Sequence, residues 1–334
     1  MGRVGNLSHA AAVQIPDKLA NVPPFPSVAM KLMSLLANED TNFSDIASCI
    51  GTDPALAGRL IKRANAADLA SYCEARNVLQ AISALGMERT RELSLTIATH
   101  GYAQSAIKAE VLRPCWSHTV ACALAASEIA RQCGLRPAEA YTAGLLHDIG
   151  RLGLMTAYPA EYEVILTQVG GEPGRLIDLE RERFGADHLQ AGEWLAHEWN
   201  LPESIAGIIA RHAETPSRPL DETAVVQIAA RLADLLGFAV IPSEEVPDLD
   251  QIAAILPESA RARLRAQLPT LREAIRRELQ LSEKTQEPEA AETEAEEPVD
   301  EIAAPTVADE TSNWLLIAVT VAVLLAAIAF YLRR

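Results

Sequence analysis

The chain has 334 residues, 49% of them hydrophobic but only 4% aromatic, and its net charge is −16. That length allows one large or two medium domains, and a core so poor in aromatics must be built from Ala, Leu, Ile and Val, which favours packed helices over sheet. No basic stripe is present, which argues against direct nucleic-acid binding. Ten of the negative units lie between residues 281 and 310, where eleven Asp or Glu face the single Lys284. The rest carries about −6, an ordinary surface charge. Cys49, Cys73, Cys115, Cys122 and Cys133 form no CxxC pair and read as small buried thiols in a reducing compartment. The N-terminus lacks a secretory pattern, and Asn6 in "MGRVGN" rules out a myristoylation signal.

Residues 1–18 read as a loose lead-in. From "NVPPFPSVAMKLMSLL" onward the pattern is helical, with Pro26 and Ser27 opening a helix whose Val28, Leu32, Leu35 and Leu36 share a face. "NFSDIASCIGTDPALAGRLIKRANAA" predicts two short helices, the first capped by Ser44, the second by Asp53 with Pro54 at its first position. In the second, Leu56, Leu60 and Ile61 are spaced for packing, and Arg59, Lys62 and Arg63 read as solvated charges. "NVLQAISALGMERTRELSLTIATHG" gives another pair, broken at Gly86. "PCWSHTVACALAASEIARQCG" is a long helix ending at Gly134, and Pro137 opens "PAEAYTAGLLHDIGRLGLMTA". "DHLQAGEWLAHEWN", "PESIAGIIARHAE" with Pro202 in its first turn, and "DETAVVQIAARLADLLG" follow. A last helix pair spans residues 248–281. No run alternates as a strand would, so the fold class is all-α.

After residue 281 the composition changes. Residues 282–313 are acidic, contain Pro and are nearly free of large apolar groups, as a disordered linker would be. "WLLIAVTVAVLLAAIAFYL", residues 314–332, holds nineteen residues without a charge, flanked by Trp314 and Tyr331. At about 1.5 Å per residue it just spans a hydrocarbon core of roughly 30 Å, so a single transmembrane helix is expected there. With no signal peptide in view and free cysteines, the expectation is a tail anchor in the inner (cytoplasmic) membrane, the helical domain in the cytoplasm.

"AGLLHDIGRLGL", residues 143–154, sets His147 beside Asp148 in an apolar stretch. A buried polar pair needs partners, whether a metal, a hydrogen-bond network or water. On one helix the two would point about 100° apart, so a shared site would lie in the angle between them. His118 lies 29 residues upstream of His147 and Asp234 lies 86 downstream of Asp148, each on an apolar helix. Two imidazoles with two carboxylates suit Mn, Fe, Co or Ni, or Mg with added waters.

That order of His, His-Asp and Asp on successive helices resembles the metal-holding set of HD-type phosphohydrolases. Together with "NVPPFPSVAMKLMSLL", "FSDIASCIGTDPALAGRLIKRANAA", "CWSHTVACALAASEIA" and "GADHLQAGEWLAHEWNLPESIAGIIARHAE", it resembles an HDOD domain, an offshoot of the HD and HD-GYP phosphohydrolases. The resemblance covers about residues 19–240, divided into an N-terminal helical subdomain (19–110) and an HD-like subdomain (111–240), with a helical extension over 241–281. It implies a bacterial signal-transduction scaffold or output module, membrane-anchored and non-catalytic, with signalling proteins as partners and no known small-molecule ligand. The alternative it leaves open is a metal-dependent phosphohydrolase acting on a nucleotide or cyclic dinucleotide. His118, His147, Asp148 and Asp234 match the four basic HD positions, and His188 and His212 resemble further ligand positions of the HD-GYP relatives. The only cofactor implied is a divalent metal (Fe, Mn or Mg), and the same residues would also serve as an inert polar network. Two departures weigh against hydrolysis: Arg211 stands where the pattern has a histidine, and Arg151 where it has Lys. Arginine neither ligates a metal nor acts as a base. No "GYP" stretch occurs, and His197, His9 and His100 carry no assigned role.

Overall fold

The computed structural model describes residues 15–36, 41–66, 75–104, 108–243, 245 and 247–284. All regular structure among them is helical. Five helices come first: α1 (Ser27–Leu36), α2 (Phe43–Gly51), α3 (Pro54–Ala66), α4 (Val78–Leu85) and α5 (Met87–Ala103). The long α6 (Arg113–Cys133) leads into α7 (Pro137–Leu146), α8 (Ile149–Ala157), α9 (Pro159–Gln168) and α10 (Pro173–Phe184). The last five are α11 (His188–Glu198), α12 (Glu203–Arg211), α13 (Glu222–Leu235), the short α14 (Leu249–Ile252) and α15 (Glu258–Lys284).

Local chemistry explains most boundaries. Asp53 accepts from the backbone N–H of Ala55 and Leu56 at 3.0 Å each, with Pro54 opening α3. Gly86 (φ +78°) divides α4 from α5, and Gly134, left-handed at φ +69°, ends α6. Asn42, not Ser44, caps α2: its amide oxygen takes two backbone donors while Asp45 reaches back, a reciprocal box that Ser44 cannot close. Pro202 is the N-cap of α12 rather than part of its first turn. α9 and α10 escape the apolar periodicity because each buries only two side chains, Tyr162 and Ile165 on one, Leu176 and Glu180 on the other.

The lead-in is not loose throughout, for Pro16 is buried and Lys18 donates its backbone N–H to the Tyr158 hydroxyl. Residues 1–14 lie outside the described residues. Residues 282–284, expected in the linker, complete α15. The rest of the linker and the expected span 314–332 lie outside the described residues, among which no helix is long and apolar enough to cross a membrane.

α6 is the shared member of two hydrophobic clusters. Its Cys115, Trp116 and Val120 face the N-terminal helices, α8 and α11, while Ala125, Ala126 and Ile129 face α7, α13 and α15. Cys49, Cys115 and Cys122 are buried free thiols, as expected. Small residues let backbones meet. A Cβ on Gly144 of α7 would stand 2.9 Å from the Ala123 Cα and the Cys122 carbonyl oxygen of α6. One on Gly150 of α8 would come within 2.0 Å of the His188 carbonyl oxygen on α11. These two close approaches set the spacing of the elements that carry His118, the His147–Asp148 pair and His188.

α15 belongs to the body of this unit. Leu264, Leu271 and Ile275 enter the core, and Glu278, 2% exposed, meets Arg63 (Nη2–Oε1, 3.0 Å) and Arg89 (Nη2–Oε2, 2.7 Å). Arg63 is therefore no solvated charge: it is buried between α3 and α15, where it pairs with Glu278.

Candidate metal centre

His147 and Asp148 do not lie within one helix. α7 ends at Leu146, and Asp148 (φ −102°, ψ 21°) stands at the start of α8 without capping it. The break replaces the 100° divergence expected on a continuous helix and turns both side chains into one cleft, where they are 1% exposed. His118 reaches this cleft from α6, His188 from the first position of α11, whose capping box Asp187 forms, and His212 from the end of α12.

The imidazoles form a chain. Ring centroids are 5.4 Å apart for His118 and His147, 4.8 Å for His147 and His212, and 5.5 Å for His212 and His188. Their tautomers follow from their partners. His147 Nδ1–H donates to the Gly144 carbonyl at 2.7 Å, and His212 Nδ1–H to the Ile209 carbonyl at 2.8 Å. Each of these histidines closes its own helix, three residues after the carbonyl it binds. His118 Nδ1–H is shared between the Phe238 carbonyl (3.1 Å) and Asp234 Oδ1 (3.3 Å). With the three Nδ1 atoms protonated, the three Nε2 atoms are left as bare lone pairs. Such backbone and carboxylate anchoring of the far nitrogen is how proteins orient metal-ligating histidines.

Asp148 divides its two oxygens between different neighbours. Oδ2 accepts from Arg151 Nε–H at 2.8 Å. Oδ1 is buried without a hydrogen bond, as is His147 Nε2. The nitrogens nearest Oδ1 are His212 Nε2 at 3.5 Å and His188 Nε2 at 3.8 Å. Burial alone would raise the Asp148 pKa, but Arg151, then His147, hold it well below the usual carboxylate range. Burial pushes His147 well below the usual imidazole range and lowers His212 as well. His118 goes the other way: the Asp234 carboxylate outweighs burial and raises it. An anionic oxygen among imidazole lone pairs is a site that a cation would complete. The donors fit one, since imidazole nitrogens with a carboxylate suit a divalent ion such as Fe or Mn.

His118, His147 and Asp148 each offer a ligand atom within 4.8 Å of the others, and so do Asp148, His188 and His212. Asp234, expected as the fourth ligand, is in neither group and instead holds His118 from the rim of the cleft, its side chain 41% exposed. Arg211 is exposed and donates to the Gly207 carbonyl on its own helix, so the substitution there does not touch the cluster. Three contributors had no signal in the spacing. Arg151, noted only as a departure, lies within the cluster: Nη2–H donates to His188 Nε2 at 3.1 Å and Nη1 approaches the Tyr162 hydroxyl at 3.4 Å. Tyr162 of α9 and Glu180 of α10 are fully buried, the tyrosine donating to Glu180 Oε1. Glu180 Oε2 accepts from His188 Nδ1–H at 2.5 Å and from the His188 backbone at 2.9 Å. The cluster opens onto a cleft of 330 Å³ bounded by Arg231 and Asp234.

With this geometry in view, comparison with known proteins is decisive for the family. The model of the HDOD domain matches residues 22–215. The chain belongs to the HDOD family. An uncharacterised protein of Treponema pallidum (strain Nichols) is 26% identical over 243 residues, which are 71% of this HDOD chain and 46% of that protein, so the chain spans less than half the length of this curated relative. An HDOD domain protein of unknown function from Geobacter sulfurreducens shares 21% identity, with a TM-score of 0.64 over 78% of this chain and 95% of that one. A protein of Marinobacter aquaeolei VT8, provisionally named for signal transduction, gives a TM-score of 0.65 at 19% identity over 82% and 63%. One from Shewanella amazonensis SB2B, provisionally named a phosphohydrolase, gives 0.54 at 22% identity over 83% and 97%. At these identities the solved structures show that the HDOD chain shares their fold.

Proposed function

We propose that this chain is a bacterial signal-transduction module, a scaffold or output element, whose histidine cluster holds a divalent cation and does not hydrolyse substrate. The observation that carries the metal is the buried Asp148 carboxylate beside His147 Nε2, with Asp148 Oδ1 and that nitrogen both without a hydrogen bond among the described residues. His118, His147 and Asp148 would hold the ion, with His212 beside them. When bound, such an ion neutralises Asp148 and acidifies any water it carries. The chain's own residues supply orientation: Gly144 and Ile209 carbonyls fix two rings and Asp234 fixes a third. The test is elemental analysis of the full chain combined with assays on cyclic dinucleotides and nucleotides. Retained metal without turnover is the expected result. Turnover that disappears in Asp148→Ala would instead establish the hydrolase reading, which the open 330 Å³ cleft beside Arg231 favours.

Residues 314–332 serve in this proposal as a membrane anchor and residues 285–313 as a flexible connection to it, with signalling proteins as partners. The nineteen uncharged residues support the span, and the free thiols of Cys115 and Cys122 support a reducing, cytoplasmic location for the domain. Expressed protein is expected to sediment with membranes and to resist protease added to spheroplasts. Digestion from outside would reverse the orientation.

A further inference from the structure

The cluster has two halves that share Asp148, and Arg151 treats them differently. His118, His147 and Asp148 form one half; Asp148, His188 and His212 form the other. A neutral imidazole has one lone pair, so it accepts a hydrogen bond or ligates a metal, never both at once. The lone pair of His188 Nε2 is taken by Arg151 Nη2–H at 3.1 Å, and Asp148 Oδ2 by Arg151 Nε–H at 2.8 Å. The guanidinium is held in place from behind, by the Tyr162 hydroxyl at 3.4 Å and by Glu180 Oε1 at 3.9 Å. Glu180 also fixes the far nitrogen of His188 at 2.5 Å. Arg151 is 7% exposed, so its charge stands permanently inside the second half.

Building on the reading of the cluster as a metal centre, we propose that Arg151 is an internal cation in the place of a second metal, so that the chain binds a single divalent ion through His118, His147 and Asp148. His188 is then a positioning residue that receives the guanidinium, not a ligand. An ion in the second half would need to sit about 2 Å from His188 Nε2, along the direction from which Arg151 donates. In the first half Arg151 reaches the carboxylate alone: it holds Asp148 Oδ2, the oxygen 3.7 Å from His147 Nε2, which keeps a second lone pair, and no arginine contacts His118 or His147 among the described residues' hydrogen bonds and ion pairs. A guanidinium supplies charge but no coordination position. The paired ions that flank an attacking oxygen in two-metal centres, about 3.5–4 Å apart, therefore have no counterpart here.

The test uses the full chain and Mn(II) alone. After equilibration with Mn(II), elemental analysis is expected to give one Mn per folded chain, with the EPR signal of an isolated ion. His188→Ala is expected to keep that value, His147→Ala to lose it, and Arg151→Ala to raise it to two. Two Mn in the wild type, loss of the single Mn in His188→Ala, or a folded Arg151→Ala that stays at one would each overturn the proposal and leave the metal reading standing. No Mn in the wild type would remove the metal reading and this inference together. If Arg151→Ala does not fold, the wild-type count and the two histidine variants decide.

Discussion

Arg63 of α3 and Arg89 of α5 converge on Glu278 of α15, and Arg89 also bonds Glu92 at 3.0 Å. Every charge in that buried group lies within 3.0 Å of an opposite one. In the histidine cluster Asp148 is also paired, with Arg151 at 2.8 Å, but Asp148 Oδ1 and His147 Nε2 are buried without a hydrogen bond among the described residues. The first group leaves Arg63 Nε and Nη1 unbonded as well, so the two places differ in what is orphaned: guanidinium donors in one, a carboxylate and an imidazole acceptor in the other. Ion pairs between helices hold them together, whereas orphaned carboxylate and imidazole acceptors could take a divalent cation.

Breaking the matched network is expected to have the largest effect. Glu278→Ala strands Arg63 in the interior and should cost about 3–5 kcal/mol, read as a shift in urea unfolding at neutral pH. A loss no larger than that of a surface substitution would show that α15 is held by its apolar residues alone.

The matched network also marks a neighbour. His100 is buried edge-on to Trp116 and is lowered to about 4 by burial, with the charges of Arg59 and Arg63 adding to the effect. Its folded pKa lies below the unfolded value of 6.5, so stability is intact above that value and falls as the pH drops from 6.5 toward 4. The full loss from this group is about 3 kcal/mol. His100→Gln should flatten that part of the profile, measured by unfolding at pH 7.5 and pH 4.5. An unchanged slope would assign the acid lability to other groups.

The orphaned cluster should respond oppositely to substitution and to metal. In metal-free buffer His147→Leu is expected to cost only about 1 kcal/mol, for the lost Nδ1–H bond to the Gly144 carbonyl, since Nε2 makes none. Mn(II) at about one hundred times its dissociation constant should stabilise wild type by about 2.7 kcal/mol and leave His147→Leu unchanged in thermal melts. Stabilisation of both proteins alike would mean that the ion binds elsewhere.

The smallest effect is expected at the substitution most visible in the sequence. Arg211→Ala should change stability by no more than about 0.5 kcal/mol and leave the Mn count unaltered, since its side chain is exposed and donates to the Gly207 carbonyl of its own helix.

The helices and their punctuation were legible because proline, glycine and short polar caps act locally. His118, His147, Asp148 and His212 were legible as a group because helical spacing and the HDOD resemblance mark them, and the fold brings them within ring contact of one another. What the spacing could not give is direction. Asp234 reaches His118 from outside, and the break between α7 and α8 re-aims a pair that a continuous helix would have splayed. Glu180 and Tyr162 sit on helices with too few buried positions to announce themselves. Arg63 could not be told from Arg59 and Lys62, because its partner lies 215 residues further along the chain.

The family match ends at residue 215, yet the covered surface of the protein does not. A fragment cut there would retain His118, His147, Asp148, His188 and His212 while discarding α13 and α15, and with them the lids over Ala125, Ala126 and Ile129 of α6. It would also leave Arg63 without its partner Glu278, and Arg89 with Glu92 alone. The first and last thirds of the described chain are joined by these ion pairs. A boundary drawn at the end of the family match would separate helices that pack on one another.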